Sequence, residues 1–226
     1  MAIPSNRKKY LVRLLVLTLV LLLIISVALN WHDNYVTRPQ MQATMNDMRV
    51  IAFISWQNEM GHTASALETA RTRAETYDDF QARGRVLDDF EKAEEYLDSA
   101  DWSAAVLLHD VDKGYYPEEA AVNLYHYIER ATNDLGAAIE ELKALVFQDL
   151  FQNQSSLDRY ILLRIENITQ SIRNMRAFWS PLRQYSGVDL VKQLLDNGKL
   201  ADVMNYCKQI AETSVEVLDY ARDKLQ

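Results

Sequence analysis

The sequence is poor in the residues that break helices. Only six glycines and four prolines occur in 226 residues. That scarcity disfavours a turn-rich sheet and leaves long stretches free to be helical. A single cysteine, Cys207, excludes an intrachain disulfide, and a chain of this length buries a sizeable core without one. Acidic residues are missing from the first 30 positions, which carry Arg7, Lys8, Lys9 and Arg13. Beyond residue 30 the balance reverses, to 20 basic and 32 acidic side chains and a net charge of −12. A field of that sign opposes nucleic acid and anionic lipid surfaces. Paired metal-ligand histidines are absent too. His32, His62, His109 and His126 form no His-Glu-x-x-His or paired Glu-x-x-His pattern. No glycine-rich phosphate loop or serine elbow is found, so no catalytic residue and no cofactor is expected.

What the sequence does hold is one long apolar run, from Leu11 to Leu29, interrupted only by Arg13 near its start. About 20 helical residues cross the roughly 30 Å hydrocarbon core of a bilayer. Arg13 lies one turn inside and can snorkel to the headgroups, and Tyr10 and Trp31 flank the run as interfacial aromatics. The preceding basic cluster predicts a cytoplasmic N-terminus and an extracytoplasmic C-terminal domain. The organisation expected is a basic tail (1–10), a transmembrane anchor (11–30), a linker (31–38) and an acidic helical domain (39–226). The rival is a cleaved signal peptide, for which Ser26-Val27-Ala28 supplies a small-x-small site.

The remainder is read as all-α. A helix is expected from about Gln40 to Arg73, with Pro39 in its first turn. Val50 to Ile54, apolar enough to suggest a strand, sits within its periodicity. The stretch 74–82 is ambiguous. Helices are expected over Arg85–Leu97 and Trp102–Val111, separated by a break and recap at Asp98-Ser99-Ala100-Asp101. Pro117 opens a long helix, in which Ala121, Leu124, Ile128, Ala131, Leu135, Ala138, Leu142 and Leu145 recur at alternating spacings of three and four. That is a heptad-type, coiled-coil-like seam. After a turn capped by Ser155 or Ser156, the seam repeats through Ile161, Ile165, Ile168, Ile172, Met175 and Trp179. The short turn predicts an antiparallel hairpin of these two helices. A short helix over Val188–Asp196, closed by Asn197-Gly198, and a last one over Leu200–Leu225 complete an antiparallel bundle of about four main helices with short connectors.

Local clusters weigh little. Asp110 and Asp112, with Glu118 downstream, resemble a calcium loop superficially, but Gly114 falls one position early and Ala121 stands where the bidentate glutamate belongs. They are the weak metal candidates. Glu91, Glu94 and Glu95, with Asp88 and Asp89, read as a solvated acidic stripe. Cys207 faces inward as a small core residue. Of the two glycosylation sequons, Asn153-Gln154-Ser155 falls in a turn and Asn167-Ile168-Thr169 within a helix. The interface candidates are Trp102, Tyr115, Tyr116, Tyr125 and Tyr127, because Tyr and Trp serve contact surfaces as well as cores.

The plan resembles, in architecture alone, the extracytoplasmic helical bundle of bacterial sensor receptors. With the chain ending at Gln226 and no second span, the expectation is a tether and not a transducing receptor. The function expected is a membrane-anchored accessory subunit or assembly scaffold that contacts another membrane or extracytoplasmic protein, or itself, through helix faces. The alternative is a bundle that binds a small ligand or ion near Trp56, His62 or the Asp110/Asp112 turn.

Overall fold

Helical order begins near the N-terminus and continues along the chain. In a computed structural model, residues 5–77, 79–108, 119–152, 156–178 and 189–226 are described, with side chains from Val16 onward except 119–121 and 150–152. All regular structure among the described residues is helical. The elements are α1 (Ser5–His32), a π-helical turn (Asp33–Thr37), α2 (Arg38–Ala74), α3 (Phe80–Leu108), α4 (Glu119–Gln152), α5 (Arg159–Arg176), α6 (Leu190–Asp196) and α7 (Leu200–Leu225).

The chain divides into two units, Met1–Met45 and Asn46–Gln226. In the first, the described apolar side chains of α1 point into open space. Leu17, Leu23 and Leu29 each expose about two-thirds of their surface, and Trp31 is also exposed. Of the described helices, the one beginning at α1 is long and apolar enough to cross a membrane. The π-turn is pinned by Arg38 Nε donating to Asp33 Oδ2 at 2.9 Å and by Trp31 stacking near Tyr35.

The second unit is the bundle. Helix α3 runs against α2 in the opposite sense, since Ser103 meets Ser55, His62 meets Tyr96 and Asp89 meets Arg73. It also runs antiparallel to α4, with Lys143 on Glu94 and Leu97 beside Gly136. Helix α4 lies parallel to α2, with Trp56 on Thr132 near mid-helix and Tyr77, just beyond α2, on Asp149 near the end of α4. It is parallel to α7 as well, with Glu141 reaching Arg222. Helix α5 returns antiparallel to α7, through Arg164–Glu216, Ser171–Gln209 and Met175–Cys207, and packs on α2 through Thr169–Glu68 and Arg176–Gly61. Helix α5 runs opposite to α4, as the hairpin expectation requires, but the contacts above put α5 on α7 and α2.

The seams explain the packing. Leu124, Ile128, Ala131, Leu135, Ala138, Leu142 and Leu145 are all buried, as are Ile161, Ile165, Ile168, Ile172 and Met175. Trp179, Pro117, Pro181 and the Asn153 sequon fall outside the residues described, as does the side chain of Ala121. Val50–Ile54 is helical within α2. The expected break at Asp98–Asp101 is absent, because Ala93, Leu97, Ala100, Ala104 and Leu107 form one uninterrupted buried stripe. Ser99 supports that continuity by donating its hydroxyl to the Glu95 carbonyl within the helix instead of capping a new one. Helix α5 is capped two or three residues later than expected, by Asp158, whose carboxylate accepts from the Tyr160 N–H at 2.8 Å. Asp189 caps α6 in the same way, and Gly198 takes the left-handed φ of 63° that ends it.

Candidate functional site

Burying a polar group inside a helical bundle is costly unless it finds a partner. The most developed such pairing joins three segments: the connection after α2, the start of α3 and the end of α4. Tyr77, fully buried, donates its hydroxyl to Asp149 Oδ2 at 2.7 Å. The Arg83 guanidinium lies 5.2 Å from the centre of the Tyr77 ring. Burial pushes the Asp149 carboxyl up from its ordinary value, while the Tyr77 bond and the Arg83 charge hold it down in part. Burial and the Asp149 bond push the Tyr77 phenol upward. One turn away, the Leu157 N–H donates to the Ala74 carbonyl at 2.9 Å and draws the chain after α4 onto the end of α2. With Asp149 only 4% exposed, the arrangement works as a fastening between segments and is closed to bulk solvent.

A second tie lies alongside. Arg73 Nη1 bonds Asp89 Oδ2 at 2.6 Å, and Asp89 is buried. The acidic stripe of α3 is therefore not uniformly solvated. Glu94 likewise turns inward to Lys143 of α4 at 2.5 Å. Hydrogen bonds from Glu140 and Lys143 hold its carboxyl below the usual range. Asp88, Glu91, Glu95, Asp98 and Asp101 remain exposed.

The groups named as ligand-site or interface candidates do not share one place. Trp56 is fully buried, and its indole N–H donates to Thr132 Oγ1 at 3.0 Å. His62 is exposed and lies against Tyr96, the two rings tilted with centres 5.1 Å apart. Tyr125 is enclosed in the core, where burial pushes its phenol up, so no outer surface of a single chain offers it. Tyr127 is half-buried and packs against the same core. Trp102 stands out into solvent at 74% exposure. Asp110, Asp112, Tyr115, Tyr116 and Glu118 lie outside the described residues. Among the described residues no group of three or more His, Cys, Asp or Glu is placed to hold a metal ion.

Cys207 is enclosed and approaches Met175 Sδ at 3.8 Å, and burial pushes its thiol up. Thr169, the hydroxyl residue of the helical sequon, is buried and donates to the Glu166 carbonyl.

Sequence reasoning passes over Asp149 and places Asp89 on a solvated stripe, whereas both carboxylates are buried. A signal was present for both. Asp149 continues the spacing of Leu142 and Leu145, which puts its carboxylate on the buried seam, and Asp89 adjoins Phe90 beside the Val86/Ala93 stripe.

Comparison with known proteins adds no relative: no family model, curated protein or solved structure matches the chain.

Proposed function

We propose that the chain is a membrane-anchored accessory or scaffold protein. Residues 11–30 hold it in the bilayer, and the acidic bundle beyond residue 39, on the extracytoplasmic side, engages a protein partner through its helix faces. The observation that carries this reading is the contrast between α1 and the bundle. The apolar side chains of α1 are uncovered along its described length, while the bundle encloses its own core. Apolar surface on that scale is stable only when something covers it, and a bilayer is the medium that matches about 20 residues of helix. The orientation rests on the basic cluster Arg7, Lys8, Lys9. The role in assembly is supported by the use of the buried polar groups Tyr77, Asp149 and Asp89, the last with the half-exposed Arg73, as ties between helices, and by the outward placement of Trp102.

Mild-detergent extraction followed by native electrophoresis tests the reading. A membrane-anchored accessory protein migrates in a complex larger than its own mass and the detergent explain, and the complex survives dilution. Migration as a lone chain from native membranes, at every detergent concentration tried, overturns it.

A further inference from the structure

The outer face of α3 carries a second seam, which points away from the core. Phe80, Gly84, Asp88, Glu91, Glu95, Asp98 and Trp102 follow one another at spacings of four and three, so they line one side of the helix. The buried stripe of α3 (Val86, Phe90, Ala93, Leu97, Ala100) occupies the other side. Phe80 is 76% exposed and Trp102 is 74% exposed, more than any other large hydrophobic side chain described in the chain. The 22 residue steps from Phe80 to Trp102 make about six turns and about 33 Å of helix. A side chain at Gly84 would meet nothing within 4 Å, so the face is open there as well.

Between the two aromatics, the four carboxylates of the stripe have no ion pair or hydrogen bond among the described residues. Elsewhere on the bundle, by contrast, Arg71, Lys143, Arg164 and Arg222 are each matched to a glutamate. Like charges three and four residues apart on a helix each cost a few tenths of a kcal/mol, and no ion pair among the described residues offsets that here. Of the bases one turn from Asp88, Arg85 makes no ion pair among the described residues and Lys92 turns to Asp89 at 3.9 Å.

Resting on the accessory-protein reading above, we propose that this face of α3 is the docking surface for a basic amphipathic helix of a partner protein. The partner sets Lys or Arg against Asp88, Glu91, Glu95 and Asp98, and closes apolar pockets over Phe80 and Trp102. Charge decides the occupant. A second copy offering the same face brings carboxylates against carboxylates, and nucleic acid and anionic lipid are repelled. A basic helix is attracted along the whole stripe, and the two aromatics supply the desolvated anchors that concentrate binding energy.

The probe is a labelled helical peptide of about 24 residues with Lys at alternating spacings of three and four and Leu at both ends. Its anisotropy is measured against the full chain in zwitterionic micelles. The double substitution Glu91→Lys/Glu95→Lys and, separately, Trp102→Ala each weaken binding about tenfold or more, and added salt weakens it further. All three positions are exposed, and circular dichroism verifies that each variant keeps its fold. Asp219→Lys/Asp223→Lys on α7 makes the same charge change elsewhere and leaves the affinity within about twofold. No binding by the wild-type chain overturns the proposal. So does an equal loss from the α7 variant, which would show attraction by net charge alone, or an unchanged affinity in Trp102→Ala. In native membranes the two readings separate. A complex that persists in the α3 variants sinks the docking face and spares the accessory role. A lone wild-type chain that still binds the peptide on α3 does the reverse.

Discussion

Replacing Tyr77 by Phe removes one hydroxyl and tests the fastening at the end of the bundle. The ring and its packing stay, so the loss is the 2.7 Å bond to Asp149. A hydrogen bond to a charged acceptor contributes about 1.5–3 kcal/mol, against about 0.5–1.5 kcal/mol for a neutral one. Which figure applies depends on the protonation of Asp149, and this gives the substitution a signature in pH. The Asp149 carboxyl is raised above its ordinary value of 3.8 by burial. A group raised in the folded state binds its proton there first as pH falls. Its contribution to stability is therefore greatest below the unfolded value and is lost as pH rises through the folded one. Tyr77 opposes that loss by bonding the ionised form. The Phe variant should then destabilise by about 2 kcal/mol near neutral pH and by about 1 kcal/mol in acid, below both Asp149 values. In a domain of this size 2 kcal/mol corresponds to a melting shift of about 4–8 °C. The assay is thermal and urea unfolding of the full chain in micelles, run as a double-mutant cycle with Asp149→Asn so that other carboxylates cancel. In the Asp149→Asn background the pH dependence of the Phe substitution should vanish. A penalty independent of pH, or one that persists unchanged in that background, would refute the charge-assisted tie.

Three other substitutions or reactions follow from the same packing. Arg73→Met leaves the buried Asp89 carboxylate with only the distant Lys92 ammonium, 3.9 Å away, and should cost about 2 kcal/mol, and adding Asp89→Asn should recover most of it in urea unfolding. Gly61→Ala puts a methyl 2.6 Å from the Arg176 guanidinium. Because that group ends a flexible side chain, it moves aside, and the gain in helix propensity of about 1 kcal/mol keeps the melting temperature near or above wild type. Gly61→Leu, too large for the same escape, should lower it. The Cys207 thiol, enclosed and pushed upward by burial, should react with a disulfide reagent at the rate of opening of the bundle, and at the ordinary thiol rate in denaturant. Rapid reaction of the native protein would contradict its enclosure.

The long elements were legible because apolar spacing is a local signal. The seams of α4 and α5 and the bounds of α7 follow from it directly. The joins were less so. Asp98 to Asp101 has the composition of a break, yet Ala100 faces the core and carries the helix through, a tertiary preference overriding a local one. Asp158 takes the cap expected of Ser155 or Ser156, since two adjacent polar turns offer the backbone equivalent choices. Helix partners were harder still. A short turn implies that α5 lies beside α4, but the broad buried face of α2, built partly from polar Gln57 and Thr63, carries no clean periodicity and conceals that it receives α3, α4 and α5. Among the interface candidates, Tyr125 and Trp102 were indistinguishable by residue type. Only the position of each on its helix separates a core phenol from an exposed indole.

The anchor is the central claim, and one measurement bears on it most directly: the mass of the chain in alkaline-washed membranes, with protease added to either side. The account predicts an intact 26.1 kDa chain that stays with the bilayer and whose bundle is digested only from the extracytoplasmic side. A soluble product beginning after Ala28, or digestion of the bundle from the cytoplasmic side, would contradict it.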